Sequence, residues 1–168
     1  MTEESAGTYN YWRPLFAIIN FGSLLYFSMQ YMRPNADFWD FVFVGAGCYF
    51  GYKFVRYLIS ASEFKEIRIH PDEMPEFPSK GIYASIRHPI AAAAMYMNIA
   101  YVCLFRSFYL ITIVPIFIAM WYMIAKYEEG LMLSRFGKEY REYMNRTSML
   151  RGSGSDQQRL QSSGYDMY

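Results

Sequence analysis

Residues 90–125 read IAAAAMYMNIAYVCLF-RS-FYLITIVPIFIAMWYMIA, two apolar runs separated only by Arg106 and Ser107. A bilayer core of about 30 Å takes about 20 helical residues at a rise of about 1.5 Å each. The second run, 108–125, is long enough to cross, and the first, 90–105, crosses where the bilayer thins or where its ends reach into the interface. A two-residue connection between helices leaves only an antiparallel hairpin. The start of the first helix and the end of the second therefore share one membrane face, about a helix diameter apart.

Working outward, two further apolar runs occupy 12–32 and 38–61. The fold class expected is all-α: an integral membrane bundle of about four transmembrane helices. Hydrophobic residues make up 54% of the 168-residue chain and aromatics 20%, more apolar surface than one soluble core of this size can hide. Residues 62–85 are polar, carry Pro71, Pro75 and Pro78, and read as a membrane-surface loop between the two pairs of spans. After the last span, Met132, Phe136, Tyr140 and Tyr143 recur at three- and four-residue spacing among Lys138, Glu139, Arg141 and Glu142. That periodicity predicts a C-terminal amphipathic helix lying at the interface. The polar segment 152–168 cannot bury enough surface to order itself and reads as a disordered tail. The domain expected is thus 12–151, preceded by a polar, cytosolic segment 1–11 with no basic signal-peptide region.

Sixteen basic residues against fifteen acidic ones give no electrostatic case for nucleic acid, and none is expected as a partner. Arg33 and Arg106 lie in the two short turns, whereas the other basic residues lie at the N-terminus, around the 62–85 loop and span edges, or after the fourth span. The positive-inside rule then puts both termini and the long loop in the cytosol. The membrane is the endoplasmic reticulum in a eukaryote or the inner membrane in a bacterium, and the glycosylation triplet Asn145-Arg146-Thr147 lies on its unused side. Cys48 and Cys103 sit inside apolar runs and read as small buried side chains; no metal is expected. Gly47 and Gly51, and the run 91–94 of alanines, read as helix-packing surfaces.

Two polar clusters interrupt this background: Arg87-His88-Pro89 where the third span begins, and Glu128-Glu129 where the fourth ends. The hairpin brings them to one membrane face, where ionisable groups are costly enough to mark function. The alternative is a helix-end ion pair at headgroup level between Arg87 and one of the glutamates.

Gly81-Ile82-Tyr83-Ala84-Ser85-Ile86-Arg87-His88-Pro89 resembles the G-x-Y-x-x-x-R-H-P signature of the isoprenylcysteine carboxyl methyltransferase and phospholipid methyltransferase group. Glu128-Glu129, followed by Phe136-Gly137-Lys138-Glu139-Tyr140-Arg141-Glu142-Tyr143, resembles that group's E-E and F-G-x-E-Y-x-x-Y segment. The likeness covers residues 75–146. It implies a membrane enzyme that takes the methyl group of S-adenosyl-L-methionine to a lipidic or prenylated substrate, in contact with membrane lipids. It also implies a cofactor site at Tyr83, Arg87, His88, Pro89, Ile90, Ala91, Glu128 and Glu129. The chain departs from the pattern at Ala91, where the family has a tyrosine, in the segment before Gly81, and at Ile124, where the carboxyl methyltransferases carry an arginine suited to the substrate carboxylate. Lys126 or Arg146 would have to supply that cation, Arg146 through its planar fork.

Three readings stay open. A prenylcysteine carboxylate is already ionised at neutral pH and needs no base. A phospholipid amine, as in phosphatidylethanolamine N-methylation, must first lose a proton, to Glu129 or His88. A non-catalytic membrane protein retaining the fold is the third, favoured by Ala91 and the altered loop.

Overall fold

The computed structural model describes residues 3–30, 37–64 and 74–151, with side chains from residue 12 onward. Four α-helices follow in order: α1 Glu3–Gln30, α2 Phe38–Ser62, α3 Pro89–Phe105 and α4 Phe108–Arg146. A 3-10 turn, Gly81–Ala84, precedes α3. No strand occurs among the described residues, and the expected all-α class is what the chain adopts.

The apolar runs set the ends of α2 and α3 to within a residue of expectation. Helix α1 instead starts at Glu3, inside the segment read as a polar leader. The stretch 3–11 contains no proline to break the helix. The amphipathic segment expected as a separate interfacial helix is instead the continuation of α4. Its one interruption is Gly137, at φ 54° and ψ −119°, a conformation closed to side chains with a Cβ. Replacing Gly137 by alanine is expected to cost about 1 to 3 kcal/mol, read as a lower Tm in detergent.

Among the described residues α4 is the helix long and apolar enough to cross a membrane, and α3 is apolar but shorter. Large apolar side chains are nonetheless exposed on several helices: Ile18 and Met29 on α1, Phe41 and Ile59 on α2, Ile116 and Met123 on α4. An apolar surface of this extent marks contact with something other than water.

Two compact units divide the chain, one of residues 1–56 and 93–124, the other of residues 57–92 and 125–168. The core of the first is polar at its centre. Asn20 and Asn98, both fully buried, exchange two side-chain hydrogen bonds of 3.0 Å, and the Trp121 indole N–H donates to Asn20 Oδ1 at 2.8 Å. Asn98 also donates to the Ala94 carbonyl at 2.8 Å, so the network is internally satisfied. It fixes the mutual register of α1, α3 and α4, which apolar packing alone leaves loose. Replacing Asn98 by leucine strands the Asn20 amide and is expected to cost about 1 to 3 kcal/mol, visible as a fall in Tm.

Gly47 lets α2 approach α3: a Cβ there would lie 2.6 Å from Leu104 Cγ. Gly51 faces open space, so the packing reading holds at Gly47 and not at Gly51. Because α2 packs through its Gly47 side, Cys48 on the next position is exposed rather than buried, and Cys103 is half-buried; both are free thiols. At the other end of this unit Arg106 pairs with Asp37 at 3.0 Å and with Asp40, its guanidinium lying 4.8 Å from the Phe43 ring centroid.

Candidate functional site

The second unit holds the two polar clusters, and its chain path explains why they meet. Gly81 takes φ 57°, and a Cβ there would lie 2.8 Å from the Phe64 ring, so only glycine starts the 3-10 turn here. The turn buries Tyr83, whose ring packs edge-on against Phe64 at 5.2 Å and whose carbonyl accepts from the Tyr143 hydroxyl at 2.6 Å. Tyr83 thus anchors the segment that delivers Arg87 and His88 to the start of α3.

The loop expected to lie on the membrane surface instead reaches inward at two places. Met74 and Phe77 are buried, and the Phe77 ring sits 5.1 to 5.3 Å from those of Phe136, Tyr140 and Tyr143. The apolar side of the C-terminal part of α4 is therefore covered at Phe136, Tyr140 and Tyr143 by the protein's own loop. Two apolar residues three apart, between prolines and acids, are the signal for this in the sequence. Burial raises both Tyr140 and Tyr143 hydroxyls above the usual tyrosine pKa.

Glu128 and Glu129 are both buried on α4, 40 or more positions along the chain from His88 and Arg87. Arg87 Nε donates to Glu129 Oε1 at 2.8 Å, and Lys126 Nζ donates to Glu129 Oε2 at 3.0 Å. His88 Nδ1 lies 3.3 Å from Glu128 Oε2, and its Nε2 lies 3.8 Å from Glu129 Oε1. Arg87 Nη1 further donates to the carbonyls of Met144, at 2.9 Å, and Thr147, satisfying acceptors at the end of α4. The ion pair between Arg87 and Glu129 is real, but its side chains are only 9% and 3% exposed, so it is a buried clamp rather than a headgroup-level pair.

Burial would raise the Glu129 carboxyl, but hydrogen bonds from His88, Lys126 and Arg87 outweigh it and hold the pKa down to about 2. Held ionised in this way, Glu129 is a weak base and its neighbours oppose its taking up a proton. Burial would likewise lower His88, yet the two carboxylates beside it raise its pKa above 6.5. His88 is thereby biased toward the imidazolium, an anion-binding cation rather than a base. Arg87, Lys126 and a charged His88 would set three cations against the two carboxylates, a balance that favours a further anion.

These shifts set a pH window. A lowered carboxyl contributes stability above 4.5 that is lost as pH falls toward about 2, and a raised histidine contributes stability below 6.5 that is lost as pH rises through its folded pKa. The Tm in detergent is expected to be highest between those two limits, and His88→Ala should flatten the alkaline side fully and the acid side in part, since His88 is one of the groups holding the Glu129 pKa down.

The structure brings together Arg87, His88, Lys126, Glu128 and Glu129. Pro89 and Ala91 are buried at the start of α3, and Ile90 is half-buried. Arg146 is exposed, and its Nε donates to the Glu142 carbonyl one turn back at 3.4 Å; its recorded contact is with its own helix, and Lys126 is the proposed substrate cation that joins the cluster. The atom best placed for an added ligand is His88 Nε2, buried, 3.8 Å from Glu129 Oε1 and with no group among the described residues at hydrogen-bond distance. A carboxylate such as the amino-acid end of S-adenosylmethionine fits it, and Glu128 beside it fits an ammonium or ribose hydroxyl. No protein-family model, curated protein or solved structure matches the chain.

Proposed function

We propose that this chain is a multi-pass membrane methyltransferase that binds S-adenosylmethionine at His88 and Glu128 and methylates the carboxylate of a lipidic, prenylcysteine-type substrate. The observation that carries the reading is the buried His88 imidazole, with one nitrogen on Glu128 and the other 3.8 Å from Glu129, beyond hydrogen-bond distance. The residues around it match the resemblance noted in the sequence. The exposed apolar faces of α1, α2 and α4 favour several lipid-facing helices, and the reading of both termini as cytosolic rests on the placement of the basic residues. Aromatic side chains such as Trp12 and Trp39 depress the hydropathy of α1 and α2 without making them poor membrane helices.

The bound cofactor supplies an electrophilic methyl on a sulfonium. Attack by a carboxylate oxygen forms the ester bond as the sulfur–methyl bond breaks; the two charges cancel and no proton moves. His88 binds the cofactor's anionic end, Glu128 its donors, and the Arg87–Glu129 clamp holds both motifs in place while the buried setting excludes water. The absence of an effective base in Glu129, and the bias of His88 to its charged form, favour a carboxylate over a phospholipid amine.

The acceptor is tested by supplying labelled cofactor with either a farnesylated cysteine analogue or phosphatidylethanolamine vesicles, followed by mild base. A methyl ester releases volatile methanol; base-stable label in phospholipid would overturn the choice in favour of N-methylation. The topology is tested with single cysteines at Lys80, Lys138 and Phe108, all exposed, in a cysteine-free background. An impermeant reagent should reach Lys80 and Lys138 positions from one side and the Phe108 position from the other; labelling of all three from one side contradicts four spans.

A further inference from the structure

Beyond the last turn of α4 the chain does not leave the site. Thr147 Oγ1 donates to the Tyr143 carbonyl at 2.7 Å, which turns the backbone. Ser148 then bridges in parallel with Ile86. The Arg87 N–H donates to the Ser148 carbonyl at 2.9 Å, the His88 N–H to the Met149 carbonyl at 3.1 Å, and the Ser148 N–H to the Ser85 carbonyl at 3.2 Å. Arg87 closes the arrangement from its other end, with its guanidinium on the carbonyls of Met144 and Thr147.

From this geometry we infer that residues 147–149 are a strap that positions His88 for the cofactor, making Thr147 and Ser148 positioning residues outside the two cofactor motifs. The inference rests on the cofactor reading above and adds to it the element that sets the histidine.

The physical case is one of degrees of freedom. His88 precedes a proline, so its own backbone N–H is the last donor before α3 that can pin the chain, and that donor is spent on Met149. Without the strap, Ser85 to His88 would be tied to the rest of the unit by the Arg87 and His88 side chains and by the short 3-10 turn. Rotation about the freed backbone would carry His88 Nε2 away from the place where a ligand carboxylate meets it, and a displacement of about 1 Å is enough to cost a hundredfold in a positioned contact. A strap made largely of backbone hydrogen bonds also explains why the sequence hides it: apart from the Thr147 hydroxyl, residues 147–149 contribute carbonyls and an N–H that other residues could supply.

Proline at position 148 is the matching test, because it deletes the Ser148 N–H and leaves every motif side chain in place. In full-length wild-type protein, hydrogen exchange should show the amides of Arg87, His88 and Ser148 protected. In Ser148→Pro those of Arg87 and His88 should exchange faster, and affinity for S-adenosylhomocysteine should fall at least tenfold. Asn98→Leu, in the other unit, serves as a comparison of lowered Tm and should keep wild-type affinity. Thr147→Val should weaken binding and Thr147→Ser restore it. Unprotected Arg87 and His88 amides in the wild type overturn the strap, and so does a Ser148→Pro protein with released amides but unchanged affinity. A wild type that binds no S-adenosylhomocysteine sinks the cofactor reading itself, an outcome distinct from binding that ignores the strap.

Discussion

Replacing Arg87 by methionine is expected to destabilise the second unit by roughly 3 to 5 kcal/mol, the usual cost of removing one partner of a buried ion pair. The substitution keeps most of the volume and removes the charge. Glu129 would be left 3% exposed with Lys126 as its remaining full cation and a histidine 3.8 Å away. The carbonyls of Met144 and Thr147 would lose their shared donor as well. Thermal unfolding in detergent should show a Tm lower by roughly 10 °C, at about 2 to 4 °C per kcal/mol for a chain of this size. The double variant Arg87→Met, Glu129→Met should recover much of the loss, because an apolar pair replaces a buried charge that has no partner. A single variant as stable as the wild type would mean that the clamp is worth no more than a surface pair.

The second large effect concerns binding. Glu128→Gln removes a charge at constant size, and His88→Ala removes the buried imidazole whose Nε2 has no hydrogen bond among the described residues. Losing a charge-assisted hydrogen bond costs about 1.5 to 3 kcal/mol, which is roughly ten- to a hundredfold in the Kd for S-adenosylhomocysteine measured by calorimetry. His88→Ala should also abolish the decline in affinity as pH rises through the histidine's raised pKa, whereas Glu128→Gln should retain it. Unchanged affinity in both variants would refute the assignment.

The meeting of Arg87 and His88 with Glu128 and Glu129 is legible in the sequence, because two apolar runs of near-equal length joined by Arg106-Ser107 can bring together only those ends. The limits of α2 and α3 are legible for the same reason: a long apolar run ending at prolines, glycines or charges is a local signal. What each polar group does inside the cluster is not local. Glu129 and His88 both read as bases until Arg87 and Lys126 prove to be spent on the first and two carboxylates on the second. Phe77 is surrounded by Pro75, Glu76 and Pro78, and only the three aromatic rings it meets on α4 make it core. Gly137 is legible as a motif glycine, while its role in redirecting α4 appears only in its backbone angles. The strap at 147–149 offers the sequence little more than the Thr147 hydroxyl, because its ties to Ser85, Arg87 and His88 are backbone hydrogen bonds.

The account's central claim is that His88 and Glu128 hold S-adenosylmethionine. Its most direct test is a calorimetric titration of the purified wild-type protein in detergent with S-adenosylhomocysteine at pH 6.5. The account predicts saturable binding of one molecule per chain with a micromolar Kd; no heat of binding from a folded protein, shown to be intact by a cooperative melting transition in the same sample, would contradict it.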